Sequence, residues 1–293
     1  MVEGQILKGL GGFYFVKKTD GAIVTCKARG RFKKDNIDIY VGDRVKINQT
    51  IDNTWVIEHV ISRKNLIIRP PIANIEQCII VFAIKSPDLN YNQLNRFLIL
   101  AEKSGVEIVI CINKTDLVEK KQIESIHRKY THIGYNLIAI SAKEKFGIEK
   151  LKNILKDKIS VLSGPSGVGK STLLNAIQPG LKLKTGELSE KTRRGRHTTR
   201  HVELLQLDFG GLVADTPGFG HFKLDHIYPE ELSNLFIEIG KAAPYCRFKG
   251  CMHRHEPNCE VKNLVSEGII GKDRYNSYLE LLNEIEENRR DIY

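Results

Sequence analysis

Two short motifs stand in an unexpected order along this chain, and that order constrains its fold more than any other feature. The stretch "CINKTDL", Cys111 to Leu117, carries an Asn-Lys-x-Asp signature after an apolar strand, a pattern that reads guanine. Such a motif ordinarily follows a phosphate-binding loop, yet "GPSGVGKST", beginning at Gly164, comes after it. Either one motif is accidental or the nucleotide site is assembled in an unusual chain order.

The second motif fits the Walker A pattern, with the apolar "KISVLS" before it and the helical "TLLNAI" after it. That strand-loop-helix context is what confirms a phosphate loop. Gly164, Gly167 and Gly169 let the backbone fold tightly and aim amide hydrogens at phosphates, with Pro165, Ser166 and Val168 completing the loop. Lys170 is expected to reach the β- and γ-phosphates and to serve catalysis, and Ser171, followed by Thr172, to ligand Mg²⁺.

Base identity rests on Asn113, Lys114, Thr115 and Asp116. The Asp116 carboxylate can accept the N1 and N2 donors of guanine. Adenine lacks that donor pair and would leave the carboxylate unsatisfied, at a cost of about 1–3 kcal/mol in a buried site. Asn113 is expected to orient the loop and the stem of Lys114 to cover the ring. In "ISAKEKFG", Ser141, Ala142 and Lys143 form the companion guanine loop, acting through the Ala142 amide. One tetrapeptide means little; two at consecutive strand ends, beside a Walker A loop, exclude accident.

On the phosphate side, "VADTPGFG" offers Asp215 to act on Mg²⁺ through water and the Gly218 amide to meet the γ-phosphate. In "RGRHTTR", Thr198 or Thr199 can complete the Mg²⁺ shell when triphosphate is bound. Both motifs therefore stand, and the elements are circularly permuted. New termini at a protein surface are tolerable. Because the chain leaves the GTPase after "DTPG", the second switch runs directly into the C-terminal segment.

Three segments of different character frame this site. Residues 1–70 alternate short apolar runs with Gly and Asp-Gly turns, which predicts a β-barrel of about five strands. Its basic run "CKARGRFKKDN" brings Arg29, Arg31, Lys33 and Lys34 together, and Phe13, Tyr14 and Phe32 add aromatic surface, as suits an oligonucleotide-binding (OB) fold. Pro70 and Pro71 end the barrel. Residues 71–222 alternate buried strands with helices, the pattern of an α/β P-loop domain. Residues 223–293 read as mostly helical, with a cysteine-rich loop and a stripe of Tyr275, Tyr278, Leu279, Leu282 and Ile285 suited to a core.

The net charge of +10, from 45 basic and 35 acidic residues, points to a polyanionic partner. No apolar run reaches the roughly eighteen residues of a membrane span, and the N-terminus lacks a signal-peptide layout, so a cytoplasmic chain is expected. In such a compartment six cysteines do not form disulfides. Cys246, Cys251, His253 and Cys259, spaced C-x4-C-x-H-x5-C, make a closed structural zinc site, with His255 a competing ligand. Cys26, Cys78 and Cys111 lie in apolar strands and read as small core residues.

Taken together, the basic barrel, the order "NKTD", "SAK", "GPSGVGKS", "RHTTR", "DTPG" and the zinc spacing resemble the RsgA/YjeQ family of circularly permuted GTPases over essentially the whole chain. The resemblance implies GTP hydrolysis stimulated by the 30S ribosomal subunit, contact with its 16S rRNA, and action late in 30S maturation. A monomer binding GTP or GDP, with Mg²⁺ beside the nucleotide and one zinc ion, is expected. Where many regulatory GTPases place a water-orienting Gln, this chain has Phe219. His197, where the family's switch histidine falls, is the candidate that replaces it, ahead of His221. Two other functions remain open at this point: an RNA-binding, GTP-sensing protein with little turnover, and a GTPase switch for a non-ribosomal protein partner.

Overall fold

The computed structural model describes residues 1–68, 71–181, 202–215, 224 and 226–290. They fall into two compact units, one of residues 1–79, 140–163 and 169–219, the other of residues 80–139, 164–168 and 220–293.

The first unit begins with five strands, β1 (Val2–Leu10), β2 (Phe13–Lys18), β3 (Ile23–Ala28), β4 (Arg44–Gln49) and β5 (Trp55–Val60), with a single helical turn, α1 (Arg31–Lys34), between β3 and β4. Their pairing runs β1-β2-β3-β5-β4 and returns to β1, which closes the sheet into a barrel with one parallel pair, β3 with β5. Closure removes the exposed edges that a short sheet would otherwise present. Alternate side chains point inward, so Ile6, Val16, Cys26, Val45, Ile47 and Ile57 fill the interior together with Phe32 from α1. Phe32 is thus barrel core, not a stacking surface for bases; Phe13 is the exposed aromatic, with the Lys27 ammonium 5.4 Å from its ring centre.

A register shift between Ile6 and Lys8 bends β1. Its first residues pair with β4, while Lys8 pairs with Glu203 and holds it by a 2.8 Å ion pair. Pairing does not stop at Pro71. Pro71 opens β7 (Pro71–Ala73), which forms a two-stranded ladder with β6 (Leu66–Ile68). The first residue of a strand is a position where proline is tolerated.

In the same unit, β11 (Ile159–Ser163) pairs in parallel with β13 (Leu212–Asp215), and β12 (Glu203–Gln206) pairs antiparallel with β13. Helices α4 (Ile148–Leu155) and α5 (Lys170–Ile177) flank this sheet sequence. The buried Gln77, at the start of β8 (Gln77–Ala83), donates to Ser160 Oγ and to the Ile154 carbonyl, both at 2.8 Å.

The second unit holds the rest of β8, then β9 (Glu107–Asn113) and β10 (Asn136–Ala139), in the order β10-β9-β8. Helix α2 (Tyr91–Lys103) is capped by Asn90, whose side chain accepts from the Gln93 amide at 2.9 Å. Helix α3 (Lys120–Ile133) ends at Gly134 in the left-handed conformation. The C-terminal segment supplies α6 (Pro229–Leu235), α7 (Ile237–Ala242), α8 (Glu260–Ser266) and α9 (Lys272–Arg290). Leu232, Phe236, Ile239, Val261, Tyr278, Leu282 and Ile285 form one core with Ile99 of α2. The C-terminal helices therefore share a core with α2 instead of closing one of their own.

Candidate nucleotide and metal sites

In the second unit, the base-reading motif and the first half of the phosphate loop are bonded to one another. Asn113, at the end of β9 and 1 % exposed, donates its side-chain amide to the Val168 carbonyl at 2.9 Å. Lys114 adopts φ +61°, and its ammonium donates to the Gly167 carbonyl at 2.8 Å and also to that of Ser86. Thr115 is buried, whereas Asp116, in a one-turn 3-10 helix over Thr115–Leu117, is exposed. The reversed chain order thus ends in direct hydrogen bonds between segments 55 and 53 residues apart.

Gly164 leaves β11 with φ +144°, and a Cβ there would collide with the Val81 carbonyl. Only glycine satisfies both demands. Pro165 is half-buried, and Ser166 and Gly167 are exposed.

Within the first unit, Gly169, at φ +92°, leads into α5, whose first residues are Lys170, Ser171 and Thr172. Ser141 and Ala142 are buried and Lys143 is exposed. The Ser141 amide donates to the Phe146 carbonyl, and the Ser141 hydroxyl accepts from the Glu144 amide, both at 3.1 Å. Those bonds hold the loop in a turn. Asp215 ends β13, the strand that lies in parallel register beside β11. His197, Thr198, Thr199, Gly218 and His221 lie outside the described residues.

The cysteine loop forms a metal-ligand group. One ligand atom from each of Cys246, Cys251, His253 and Cys259 lies within 4.8 Å of every other. Cys246 Sγ and Cys259 Sγ are 3.8 Å apart, and each is 3.5 Å from His253 Nδ1. His255 is exposed and stands outside the group, so the histidine within it is His253. Burial pushes the Cys251 thiol up to about 12 and raises that of Cys259, so a cation is what would hold them as thiolates.

The surroundings of this loop were not legible in the motif. The Tyr275 and Tyr278 hydroxyls of α9 donate to the His253 and Met252 carbonyls at 2.6 and 3.1 Å. Glu256 accepts from the Met252 and Arg254 amides at 2.6 and 2.8 Å. The tyrosine stripe is core, as its spacing suggested, but its two hydroxyls also shape the metal loop.

A buried polar network also escaped sequence reasoning. Arg274, 1 % exposed, binds both carboxylate oxygens of Glu238 at 2.6 and 2.9 Å and donates to Asn95 Oδ1 at 2.8 Å. Asn95 donates in turn to Ser277 Oγ at 2.9 Å and accepts from the Tyr130 hydroxyl at 3.2 Å. The network ties α2 and α3 to α7 and α9. No local pattern marks one arginine among the many of this chain as buried.

On the barrel, Arg29, Arg31, Lys33 and Lys34 are all exposed around α1. Two of them are engaged: Glu58 accepts from Arg29 at 2.5 Å and lies 3.6 Å from the Arg31 guanidinium. The Arg29 hydrogen bond holds the Glu58 carboxyl below the usual carboxylate range. Among the described residues, no helix is long and apolar enough to cross a membrane.

Comparison with known proteins agrees with this geometry. The RsgA GTPase family model matches residues 60–225, and the RsgA N-terminal domain model matches residues 3–57. A protein of Caldanaerobacter subterraneus named small ribosomal subunit biogenesis GTPase RsgA is 48% identical over 292 residues, covering 100% of this chain and 98% of its own. Its namesake from Carboxydothermus hydrogenoformans is 47% identical, with 99% of each chain covered. Among solved structures, YjeQ from Thermotoga maritima matches with a TM-score of 0.86 at 39% identity, over 97% of this chain and 98% of its own. YloQ, described as a circularly permuted GTPase, matches at 0.84 and 37% identity, over 98% and 96%. With base loop and phosphate loop joined in permuted order behind an N-terminal five-stranded barrel, this chain belongs to the RsgA GTPase family and is a GTPase.

Proposed function

We propose that this GTPase acts on the small ribosomal subunit during its late maturation, binding 16S rRNA through the barrel and hydrolysing GTP when the particle stimulates it. The shared name of its relatives, small ribosomal subunit biogenesis GTPase, supports the partner. The observation that carries the nucleotide chemistry is the pair of hydrogen bonds from Asn113 and Lys114 to the phosphate loop. Through them, recognition of the base sets the position of the loop that holds the phosphates.

In this reading Asp116 accepts the guanine N1 and N2 donors, Ala142 meets the base edge through its amide, and Lys114 covers the ring. The amides of residues 164–169 cradle the phosphates, and Lys170 neutralises charge on the transferring group. Ser171 and Thr199 would hold Mg²⁺ and Asp215 would act on it through water; when bound, the ion would offset negative charge on the β- and γ-phosphates. The Gly218 amide would meet the γ-phosphate, Thr198 or Thr199 would complete the Mg²⁺ shell, and His197 would orient the attacking water in place of the absent Gln.

In the same reading the cysteine loop would hold zinc. Tetrahedral zinc, with bonds of about 2.3 Å to sulfur and 2.0–2.1 Å to nitrogen, demands S···S edges of about 3.8 Å and S···N edges of about 3.5–3.6 Å. The 3.8 and 3.5 Å separations among Cys246, Cys259 and His253 support that fit. Four protein ligands leave no position for water, so the ion is structural. Functionally the chain divides into an RNA-binding part, 1–70, a GTPase part, 71–222, and a zinc part, 223–293, at work in the cytoplasm.

The test is GTP turnover with and without purified small subunits. Wild type should be strongly stimulated, and His197→Ala should lose stimulation while keeping nucleotide affinity. Turnover indifferent to the particle would overturn the ribosomal partner.

A further inference from the structure

A cleft of about 450 Å³ opens on the barrel, lined by Arg29, Gly30, Arg31 and Glu58. Arg29 follows the last residue of β3, and Arg31 opens α1. Glu58 comes from β5, next to Ile57, which is in register with Ala28. Apart from its two chain neighbours, nothing lies within 4 Å of where a Gly30 Cβ would stand.

Glu58 is the residue on which the cleft turns. Its side chain is only 11 % exposed, while those of Arg29 and Arg31 are 48 % and 44 % exposed. It receives Arg29 on one carboxylate oxygen, stands beside Arg31 with the other, and receives Arg31 on its backbone carbonyl. Two guanidiniums this close repel one another, and a carboxylate between them offsets that repulsion while leaving an excess positive charge. Each guanidinium has five N–H donors, and the bonds to Glu58 occupy few of them. Both side chains stay about half exposed, which leaves donors open to a phosphate, a group that guanidiniums recognise in bidentate fashion.

We propose that this cleft is a subsite for one backbone phosphate of RNA, and that Glu58 is its positioning residue, holding Arg29 and Arg31 side by side. The inference rests on the RNA-binding reading of the barrel and deepens it. It also carries an unusual sign. Removing an acid from a surface that meets a polyanion ordinarily tightens binding; here it loosens the clamp and weakens binding.

The experiment measures fluorescence anisotropy of a labelled single-stranded oligouridylate with the full-length protein, across a series of salt concentrations. Wild type should bind with steep salt dependence. Glu58→Ala should weaken binding about 5- to 10-fold and reduce the salt slope by about one. Glu58→Gln, whose amide oxygen still accepts from Arg29, should retain most of the affinity. Intrinsic GTP hydrolysis, unchanged in both variants, reports that the chain is folded. If Glu58→Ala binds as tightly as wild type or tighter, while Arg29→Ala with Arg31→Ala binds weakly, the positioning role is overturned and the RNA reading survives. If wild type itself does not bind the RNA, both fail together.

Discussion

The N-terminal barrel and the C-terminal helices are regions of similar size that reach stability in different ways. The barrel closes on itself through backbone ladders, and among the described residues the fully buried members of its core come from its own strands and α1. The helical region has no such closure. Its core borrows Ile99 from α2, its polar interior is shared with Asn95 and Tyr130, and its loop is gathered around four metal ligands. Small domains with limited cores commonly need a metal or another cross-link to hold together. The lesson is one of reach: damage to the barrel should stay in the barrel, whereas damage to the C-terminal helices should be felt by α2 and α3.

The largest effect is expected at the buried ion pair. Arg274→Ala strands Glu238 without its partner, at a cost of about 3–5 kcal/mol in urea unfolding. Arg274→Met combined with Glu238→Leu should recover much of that loss. An unfolding midpoint unchanged by Arg274→Ala would break the comparison outright.

Metal removal comes next. Chelation should release one zinc ion per chain and expose Cys246, Cys251 and Cys259 to a thiol reagent. Cys26, Cys78 and Cys111 should stay unreactive, because burial pushes the first two thiols up to about 11 and about 12 and the third higher still. Hydrogen exchange should quicken in α6–α9 while the amides of β1–β5 keep their protection. Quickened exchange across the barrel would show that the two regions are not energetically separate.

At the nucleotide-binding motifs the effects are chemical. Asp116→Asn should weaken GTP about 5- to 150-fold, the equivalent of about 1–3 kcal/mol, and favour xanthosine triphosphate. Wild-type base preference in that variant would remove Asp116 as the reader of guanine. Gly164→Ala should abolish nucleotide binding, since its Cβ has no room beside Val81.

The smallest effect sharpens the barrel side of the contrast. Ile57→Val should cost about 0.5–1.5 kcal/mol of stability and leave GTP affinity as it was. A loss of GTP affinity would mean that the barrel core reaches further than its contacts indicate.

Some of this molecule was legible residue by residue. The permuted motif order, the strand alternation of the barrel, the three inert cysteines and the four clustered metal ligands all follow from local rules. A glycine at positive φ, a period of two, or a thiol spacing leaves its mark within a few residues of itself. Pro71 shows the limit even there, since its strand, β7, folds back to pair with β6.

What only the tertiary structure decided are the interactions whose partners lie far apart in the chain. Nothing in "CKARGRFKKDN" says that Arg29 and Arg31 share Glu58, or that Phe32, next to Arg31, turns inward. Nothing near Arg274 says that it will be buried against Asn95, 179 residues away. Burial and charge pairing are properties of the space where distant segments meet. A sequence encodes that space only through the whole fold, so its local patterns determined the chemistry on offer and the fold determined which groups use it.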